Sequence, residues 1–188
     1  MMNQEGGAMA MKEQIERTLH PLIGVSFWGA GRAADMETFQ VGPRHPVTDR
    51  HGRTRDVGTY ALHVQCAWRI VGPRGIVVAS RGIVVASRDR YYPSEASGLD
   101  VSDPDFEWDR AGANLCDERR ARFFAEHYAV PLLVKEVRAD DVESVGLILG
   151  GYELEVFPDD SQDGEHWRFF QPHTDGDHVV VTGAGVEE

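Results

Sequence analysis

The segment Trp28–Met36, which reads WGAGRAADM, has the residue types best suited to binding a polar ligand. Its glycines let the backbone approach a ligand closely, and Arg32 and Asp35 have the charges needed to orient a polar group. The spacing is not a dinucleotide fingerprint, because Ala34 stands at the third glycine position and no βαβ context is evident. The segment therefore predicts a small-molecule pocket near Trp28, Arg32 and Asp35. The alternative is an Arg–Asp pair that locks a glycine-rich bend.

Two Trp-Arg dipeptides are the second candidate for ligand contact. A guanidinium that lies over an indole ring forms a cation–π pair. Packing of each tryptophan at a sheet edge is the alternative interpretation. Together with the first segment, the dipeptides give seven predicted binding residues: Trp28, Arg32, Asp35, Trp68, Arg69, Trp167 and Arg168.

The sequence lacks the common catalytic motifs GxSxG, HExxH and the P-loop. A cysteine–histidine nucleophile would have to combine Cys66 or Cys116 with His63 or His127. His63 lies three residues before Cys66, so within one strand the two side chains point to opposite faces. Two reduced, buried thiols are the simpler interpretation. We therefore predict no catalytic residue and favour a protein that is not an enzyme.

The acidic C-terminal region has the residue types of a metal site without the spacing of one. Residues 159–164 match the opening DxSxDG of an EF-hand loop, but the twelfth position is Phe170 instead of the glutamate that calcium requires. The histidines of 166–178 lie among aspartates at spacings that are not diagnostic. We predict no metal and no cofactor.

The chain of 188 residues has a formal charge of −12, which restricts its partners. A general nucleic-acid binder needs a basic surface, and an anionic membrane repels an acidic protein, so neither is expected. No apolar run reaches the roughly 18–20 residues of a membrane helix, and we expect a cytoplasmic protein. The charge is uneven: residues 153–188 hold ten acids and one base, 95–109 hold six acids and no base, and 42–56 hold four arginines and two aspartates.

Periodicity predicts a short helix at Met9–Leu19 and a longer one at Leu115–Ala129, with Asn114 as its N-cap. Strict alternation predicts one long strand at Thr59–Val71, whereas residues 42–57 read as a polar loop. Further strands are predicted at Leu22–Trp28, Met36–Val41, Leu132–Arg138, Ser144–Leu149, Tyr152–Phe157, His166–Gln171 and His178–Thr182. Two Asp-Gly pairs predict hairpins between consecutive strands: Asp163-Gly164 and Asp175-Gly176.

These elements predict an α+β protein, mainly antiparallel β, that forms a single domain. Residues 22–92 and 132–184 share an order of features, namely a GxYxLxV strand start, a Trp-Arg pair and a valine-rich strand. We expect two β halves linked by the acidic loop 93–112 and the helix 114–129. Chance similarity between alternating strands is the alternative.

The sequence RGIVVAS occurs twice in succession, at Arg74–Ser80 and Arg81–Ser87. Because seven is odd, one continuous strand would turn the second copy's side chains to the opposite faces from the first. The copies could form their own hairpin, one copy could loop out, or a long strand could pair with a second chain at its edge. We favour a protruding hairpin or strand that promotes a homodimer.

Four parts of the chain are similar to other proteins: WGAGRAADM (Trp28–Met36), ALHVQCAWR (Ala61–Arg69), GANLCDER (Gly112–Arg119) and LEVFPDDS with EHWRFF between Leu154 and Phe170. In these parts the chain resembles an uncharacterised family of actinobacterial conserved hypothetical proteins. The resemblance covers most of the chain after Leu22. It implies no activity, cofactor or catalytic residue, and it implies one copy of RGIVVAS where this chain has two.

The missing catalytic motifs and the uneven charge favour an interaction module of the immunity or regulatory kind. Its acidic C-terminal third would bind a basic protein. One alternative is a small-molecule-binding protein or enzyme with a pocket near Trp28, Arg32 and Asp35. Another is a structural homodimer through residues 74–87.

Overall fold

The computed structural model describes residues 5–73, 82–176 and 178–187. Two α-helices lie within these ranges, α1 (Glu5–Leu19) and α2 (Leu115–Glu126). The same ranges contain twelve strands, which are β1 (Ser26–Ala33), β2 (Met36–Thr48), β3 (Thr54–Val64), β4 (Ala67–Val71), β5 (Ile83–Ala86), β6 (Leu132–Leu133), β7 (Glu136–Ala139), β8 (Val145–Ile148), β9 (Glu153–Phe157), β10 (Glu165–Phe170), β11 (Val179–Thr182) and β12 (Gly185–Glu187). Short 3₁₀ helices occupy His20–Leu22, Ser87–Tyr91 and Glu95–Ser97.

The strands form two antiparallel sheets, which confirms the prediction of a mainly antiparallel α+β protein. The seven-stranded sheet has the order β12-β11-β10-β3-β2-β1-β6, and the five-stranded sheet has the order β5-β4-β9-β8-β7. Each sheet takes strands from both halves of the chain, since β3 pairs with β10 and β4 pairs with β9. The halves are therefore interleaved in both sheets.

The predicted strand Thr59–Val71 is wrong as a single strand, because the chain changes sheet within it. β3 ends at Val64 in the seven-stranded sheet, and β4 begins at Ala67 in the five-stranded sheet. Every second side chain from Leu62 to Ile70 is nonetheless buried. The two sheets enclose one core, so a strand that crosses between them keeps the same side chains inward. Alternation alone therefore does not reveal the crossing.

The polar loop predicted at 42–57 is also wrong, because most of it is a β-hairpin. β2 and β3 remain paired from Arg44 opposite Gly58 to Thr48 opposite Thr54. At the tip, Asp49 Oδ1 accepts hydrogen bonds from two backbone amides of the turn, at 2.8 and 2.9 Å. This hairpin tip lies beyond the core, so its strands lack the apolar alternation that marks a half-buried strand.

The two Asp-Gly predictions have opposite outcomes. Asp175-Gly176 joins β10 to β11, which pair as a hairpin, as predicted. Asp163-Gly164 does not form a hairpin, because β9 lies in the five-stranded sheet and β10 in the seven-stranded one. The predicted strand Leu132–Arg138 is likewise divided, with β6 paired to β1 and β7 paired to β8.

The core lies between the sheets and includes Trp68, Trp167, Phe27 and Phe39 among its largest fully buried side chains. The N-cap prediction for α2 is confirmed, since the Asn114 side chain accepts a hydrogen bond from the Asp117 amide at 2.8 Å. α2 ends at Glu126, three residues before the predicted end.

The first copy of RGIVVAS, together with Arg81, lies outside the described residues. Within the second copy, β5 pairs with β4 and is the outermost described strand of the five-stranded sheet on that side.

Candidate functional site

Two connections that carry many acidic residues meet at one end of the five-stranded sheet. Val145, at the start of β8, lies opposite Val156 near the end of β9, so the β7–β8 turn adjoins the β9–β10 loop. We call this surface the acidic end. It consists of Asp140, Asp141, Glu143, Glu155, Asp159 and Asp160.

Backbone hydrogen bonds fix the two connections of the acidic end. Asp140 Oδ1 accepts from the amides of Val142 and Ser144 at 3.0 and 2.9 Å, which shapes the β7–β8 turn. Asp159 Oδ1 accepts from the amide of Ala67 at 3.2 Å, which holds the β9–β10 loop against the start of β4. The fold therefore holds both connections at the same end of the five-stranded sheet.

The charge of one carboxylate of the acidic end acts on another. Partial burial raises the pKa of Glu143 above its ordinary value; the nearby His166 opposes this rise, and the charge of Asp140 adds to it. His166 is buried beneath this surface, with its Nε2 3.4 Å from Asp160 Oδ1. Within the described residues, His166 Nδ1 has no hydrogen-bond partner. A positive charge brought to this surface would relieve the repulsion between its carboxylates.

A groove of about 410 Å³ runs from the acidic end across the outer face of the five-stranded sheet. Its two arginines are already neutralised, because Arg69 pairs with Glu155 and Arg138 pairs with Glu136, which lies just outside the groove. Glu153 and Asp140 also line the groove, and no described arginine lies within ion-pair distance of either. The groove therefore has unbalanced negative charge.

Trp28 lies in a different groove, about 480 Å³ in volume, beside α2. Its Nε1 donates to the Gly42 carbonyl oxygen at 2.8 Å. The guanidinium that faces its ring belongs to Arg44, at 4.3 Å from the ring centroid, and the same group lies 5.1 Å from the Tyr128 ring. Neither Arg32 nor Asp35 lines this groove.

Arg32 and Asp35 are not paired with each other. Arg32 donates to both carboxylate oxygens of Asp117, from Nε at 3.1 Å and from Nη2 at 2.9 Å, and both side chains are 5% exposed. Asp35 lies at the turn after β1, where its carbonyl oxygen accepts from Arg90. The predicted trio Trp28, Arg32 and Asp35 therefore lies in three different local environments.

In each Trp-Arg dipeptide, the two side chains lie on opposite faces of their sheet. Trp68 and Trp167 are fully buried in the core. Arg69 pairs with Glu155, and Arg168 pairs with Glu165. Trp167 Nε1 donates to the Glu143 carbonyl oxygen at 3.1 Å, whereas Trp68 Nε1 has no partner among the described residues.

Both cysteines are free and buried, as the sequence suggested. Burial raises the pKa of each thiol to about 12, so neither is ionised near neutral pH. In the described part of the chain, no group of three or more His, Cys, Asp or Glu is arranged to hold a metal ion.

A buried ionic cluster beneath α2 was missed by sequence reasoning. Glu37 is completely buried, and Arg120 Nη1 lies 3.0 Å from both of its carboxylate oxygens. Arg120 also pairs with Asp117 at 2.9 Å, and Asp117 in turn pairs with Arg32. Burial raises the pKa of Glu37 to about 7. Burial opposes ionisation of Asp117 too, but hydrogen bonds from Arg32 and the Gly112 amide hold its pKa below the ordinary value.

Comparison of the chain with models of known protein families, with curated proteins and with solved structures gave no match. Among the described residues, neither helix is long and apolar enough to cross a membrane.

Proposed function

We propose that the protein is a non-enzymatic, cytoplasmic interaction module of the immunity or regulatory kind that binds a basic protein through the acidic end. The observation that carries this proposal is that two separate connections, which together hold six acidic residues, lie at the same end of the five-stranded sheet. Four of them, Asp140, Asp141, Asp159 and Asp160, are exposed. A cluster of this kind attracts and orients a cationic surface as it approaches.

The groove beside the acidic end supports the same function. It opens on the outer face of the sheet, and Glu153 and Asp140 leave it with unbalanced negative charge. A lysine or arginine side chain of a partner would meet these carboxylates as it entered the groove. Phe157 also lines the groove and would contact the apolar stem of such a side chain.

The alternative of a small-molecule pocket formed by Trp28, Arg32 and Asp35 has less support. Arg32 already uses its guanidinium in a buried ion pair with Asp117. Trp28 faces Arg44 in a groove that includes neither of the other two residues.

The test measures binding of a fluorescent octa-arginine peptide to the full chain by anisotropy. One variant replaces the four exposed carboxylates of the acidic end by amides: Asp140→Asn, Asp141→Asn, Asp159→Asn and Asp160→Asn. Asparagine keeps the side-chain oxygen that accepts the turn and loop hydrogen bonds, so the fold is retained. Exposed ion pairs contribute roughly 0.2–1 kcal/mol each, so we expect a loss of affinity of about tenfold or more.

The matched control removes the same number of charges from the acidic loop: Asp100→Asn, Asp103→Asn, Asp105→Asn and Asp109→Asn. We expect a much smaller loss for this control, because its carboxylates lie outside the acidic end. Equal losses for the two variants would mean that only net charge matters, and the proposal would fail.

A second candidate function is a structural homodimer through the duplicated segment 74–87. It is favoured by the position of β5, which pairs with β4 along one edge and has none of the described strands along its other edge. An edge strand can pair with the same strand of a second chain. Deleting residues 74–80 and measuring the mass by light scattering tests this, and an unchanged oligomeric state would exclude it.

We also propose that the two β halves are copies of one unit that exchange their last strands. In this proposal β1 to β5 correspond, strand by strand, to β7 to β11. The seven-stranded sheet contains the order β11-β10-β3-β2-β1. Replacing each of these strands by its counterpart gives β5-β4-β9-β8-β7, which is the order of the five-stranded sheet. In this scheme α1 begins the first copy, and α2 begins the second copy and bridges the halves.

Strand register supports the duplication more strongly than strand order does. Trp68 lies opposite Val156, and Trp167 lies opposite Val64. In the GxYxLxV repeat these valines are equivalent, and so are the tryptophans that follow. Superposing β1–β5 on β7–β11 in an experimental structure tests the proposal, which fails if the paired tryptophans do not overlie.

A further inference from the structure

A polar cavity of about 130 Å³ lies where the chain crosses from the seven-stranded to the five-stranded sheet. Its floor is formed by the buried residues Cys66, Ser87 and Arg90. Its rim carries exposed charged side chains, among them Asp35 and Arg88. The volume is sufficient for several water molecules or for one small organic molecule.

Arg90 is the unusual group in this cavity, because it is a buried cation and no carboxylate of the described residues forms an ion pair with it. The residue is 5% exposed. Its Nε donates to the Ser87 carbonyl oxygen at 2.7 Å, and its Nη1 donates to the Asp35 carbonyl oxygen at 2.6 Å. No ion pair joins Arg90 to another described residue, and the nearby Glu37 carboxylate is bound by Arg120.

A buried guanidinium is strongly stabilised by an anion. Because the described hydrogen-bond partners of Arg90 are neutral carbonyl oxygens and the residue lines an open cavity, a bound carboxylate would give it a direct ionic partner. Arg88 at the rim adds a second cation beside the same cavity.

Two aspartates restrict which anions the cavity can take. Asp35 and Asp159 line the rim, so the lining carries two positive and two negative side chains. Asp159 uses one oxygen to accept from the Ala67 amide, at 3.2 Å. A phosphate or a dicarboxylate would be repelled by these two aspartates, whereas an ammonium group would be attracted to them.

We propose that this cavity binds a small zwitterion of the amino-acid class. The ligand's carboxylate pairs with Arg90 and Arg88, and its ammonium group lies towards Asp35 and Asp159. This site is separate from the binding of a basic protein proposed above, although Asp159 belongs to both surfaces.

The test is an NMR titration of the full ¹⁵N-labelled chain with glycine. Two probes of equal ionic strength, acetate and methylammonium, each supply only one half of the glycine charge pattern. We expect saturable shifts with glycine in roughly the millimolar range, as suits so small a ligand. The shifted amides should lie at residues 35, 65–67, 87–91 and 159, and acetate and methylammonium should bind about tenfold more weakly.

The variants Arg88→Ala and Asp35→Asn alter exposed side chains that do not belong to the acidic end. Each should weaken glycine binding by about tenfold, while Arg50→Ala at the tip of the β2–β3 hairpin should leave it unchanged. Octa-arginine binding should be unaffected by Asp35→Asn, which separates this proposal from the previous one. The proposal is overturned if glycine gives no saturable shift, or if acetate binds as tightly as glycine and Asp35→Asn has no effect.

Discussion

Glu37 allows the sharpest test of how the buried ionic cluster contributes to stability. The side chain is completely buried on β2, and its only described ion-pair partner is Arg120 of α2. Arg90 and Asp117 also act on it through their charges. The substitution Glu37→Gln keeps the shape and one acceptor oxygen but removes the titration.

The expected magnitude follows from the pKa of Glu37. Burial raises it from 4.5 to about 7 in the folded protein, so the folded state binds the proton more tightly than the unfolded state. The contribution of this proton to the free energy of unfolding is therefore complete below pH 4.5 and is lost as the pH rises through about 7. The pKa difference corresponds to roughly 3 kcal/mol, most of which falls between about pH 5 and pH 8.

The assay compares denaturant unfolding of the native protein and Glu37→Gln at about pH 5 and about pH 8. Over this interval the free energy of unfolding of the native protein should fall by roughly 2–3 kcal/mol more than that of the variant. His63, whose pKa is lowered by burial, changes stability in the opposite direction, but it is present in both proteins and cancels. The exposed variant Glu126→Gln should retain the native pH dependence. If Glu37→Gln also retained it, the reasoning from burial would be refuted.

Three further predictions concern substitutions of buried residues. Each cost is a decrease in the free energy of unfolding, measured with denaturant. Arg32→Met leaves Asp117 buried with only Arg120 as an ion-pair partner, so it should cost about 3 kcal/mol. Trp167→Phe should cost about 1 kcal/mol more than Trp68→Phe, because only Trp167 loses an indole hydrogen bond. Gly58→Ala should cost about 3 kcal/mol, because its Cβ would lie 2.6 Å from a backbone oxygen of β2.

Each of these predictions has a matched comparison. The double variant of Arg32→Met with Asp117→Asn should cost less than the sum of the single variants, because no unpaired carboxylate remains. Gly164→Ala adds a Cβ that meets nothing within 4 Å and should change stability by less than about 0.5 kcal/mol. The two tryptophans serve as controls for each other, and equal losses would contradict the hydrogen-bond argument.

Structural features such as a helix cap or a hairpin turn were predictable where the residues that form them are neighbours in the sequence. The N-cap Asn114 was found because the side chain that caps α2 is adjacent to the helix in sequence. The hairpin at Asp175-Gly176 was found for the same reason. At Thr59–Val71 the prediction failed, because the signal for a buried strand is the same whether the strand stays in one sheet or crosses to the other.

The candidate site was only partly predictable. The acidic residues of the C-terminal third were recognised, but the contribution of Asp140 and Asp141 depends on the pairing of β8 with β9. The ionic cluster was not visible because Asp117 and Arg120 are three residues apart in α2, as in an ordinary solvent-exposed helix pair. Their partners Arg32 and Glu37 come from strands more than eighty residues away.

The crossing between the sheets explains why polar groups collect around the polar cavity. Where a strand leaves one sheet for another, its backbone amides lose their regular ladder partners and must be satisfied by other groups. The amide of Ala67 donates to the Asp159 side chain, and the amide of Trp68 donates to the Ser87 hydroxyl. The amide of Cys66 donates to the His166 carbonyl oxygen at 3.2 Å. The polar cavity therefore follows from the crossing of the chain between the sheets, and the ligand site proposed there requires few residues beyond those that the fold already needs.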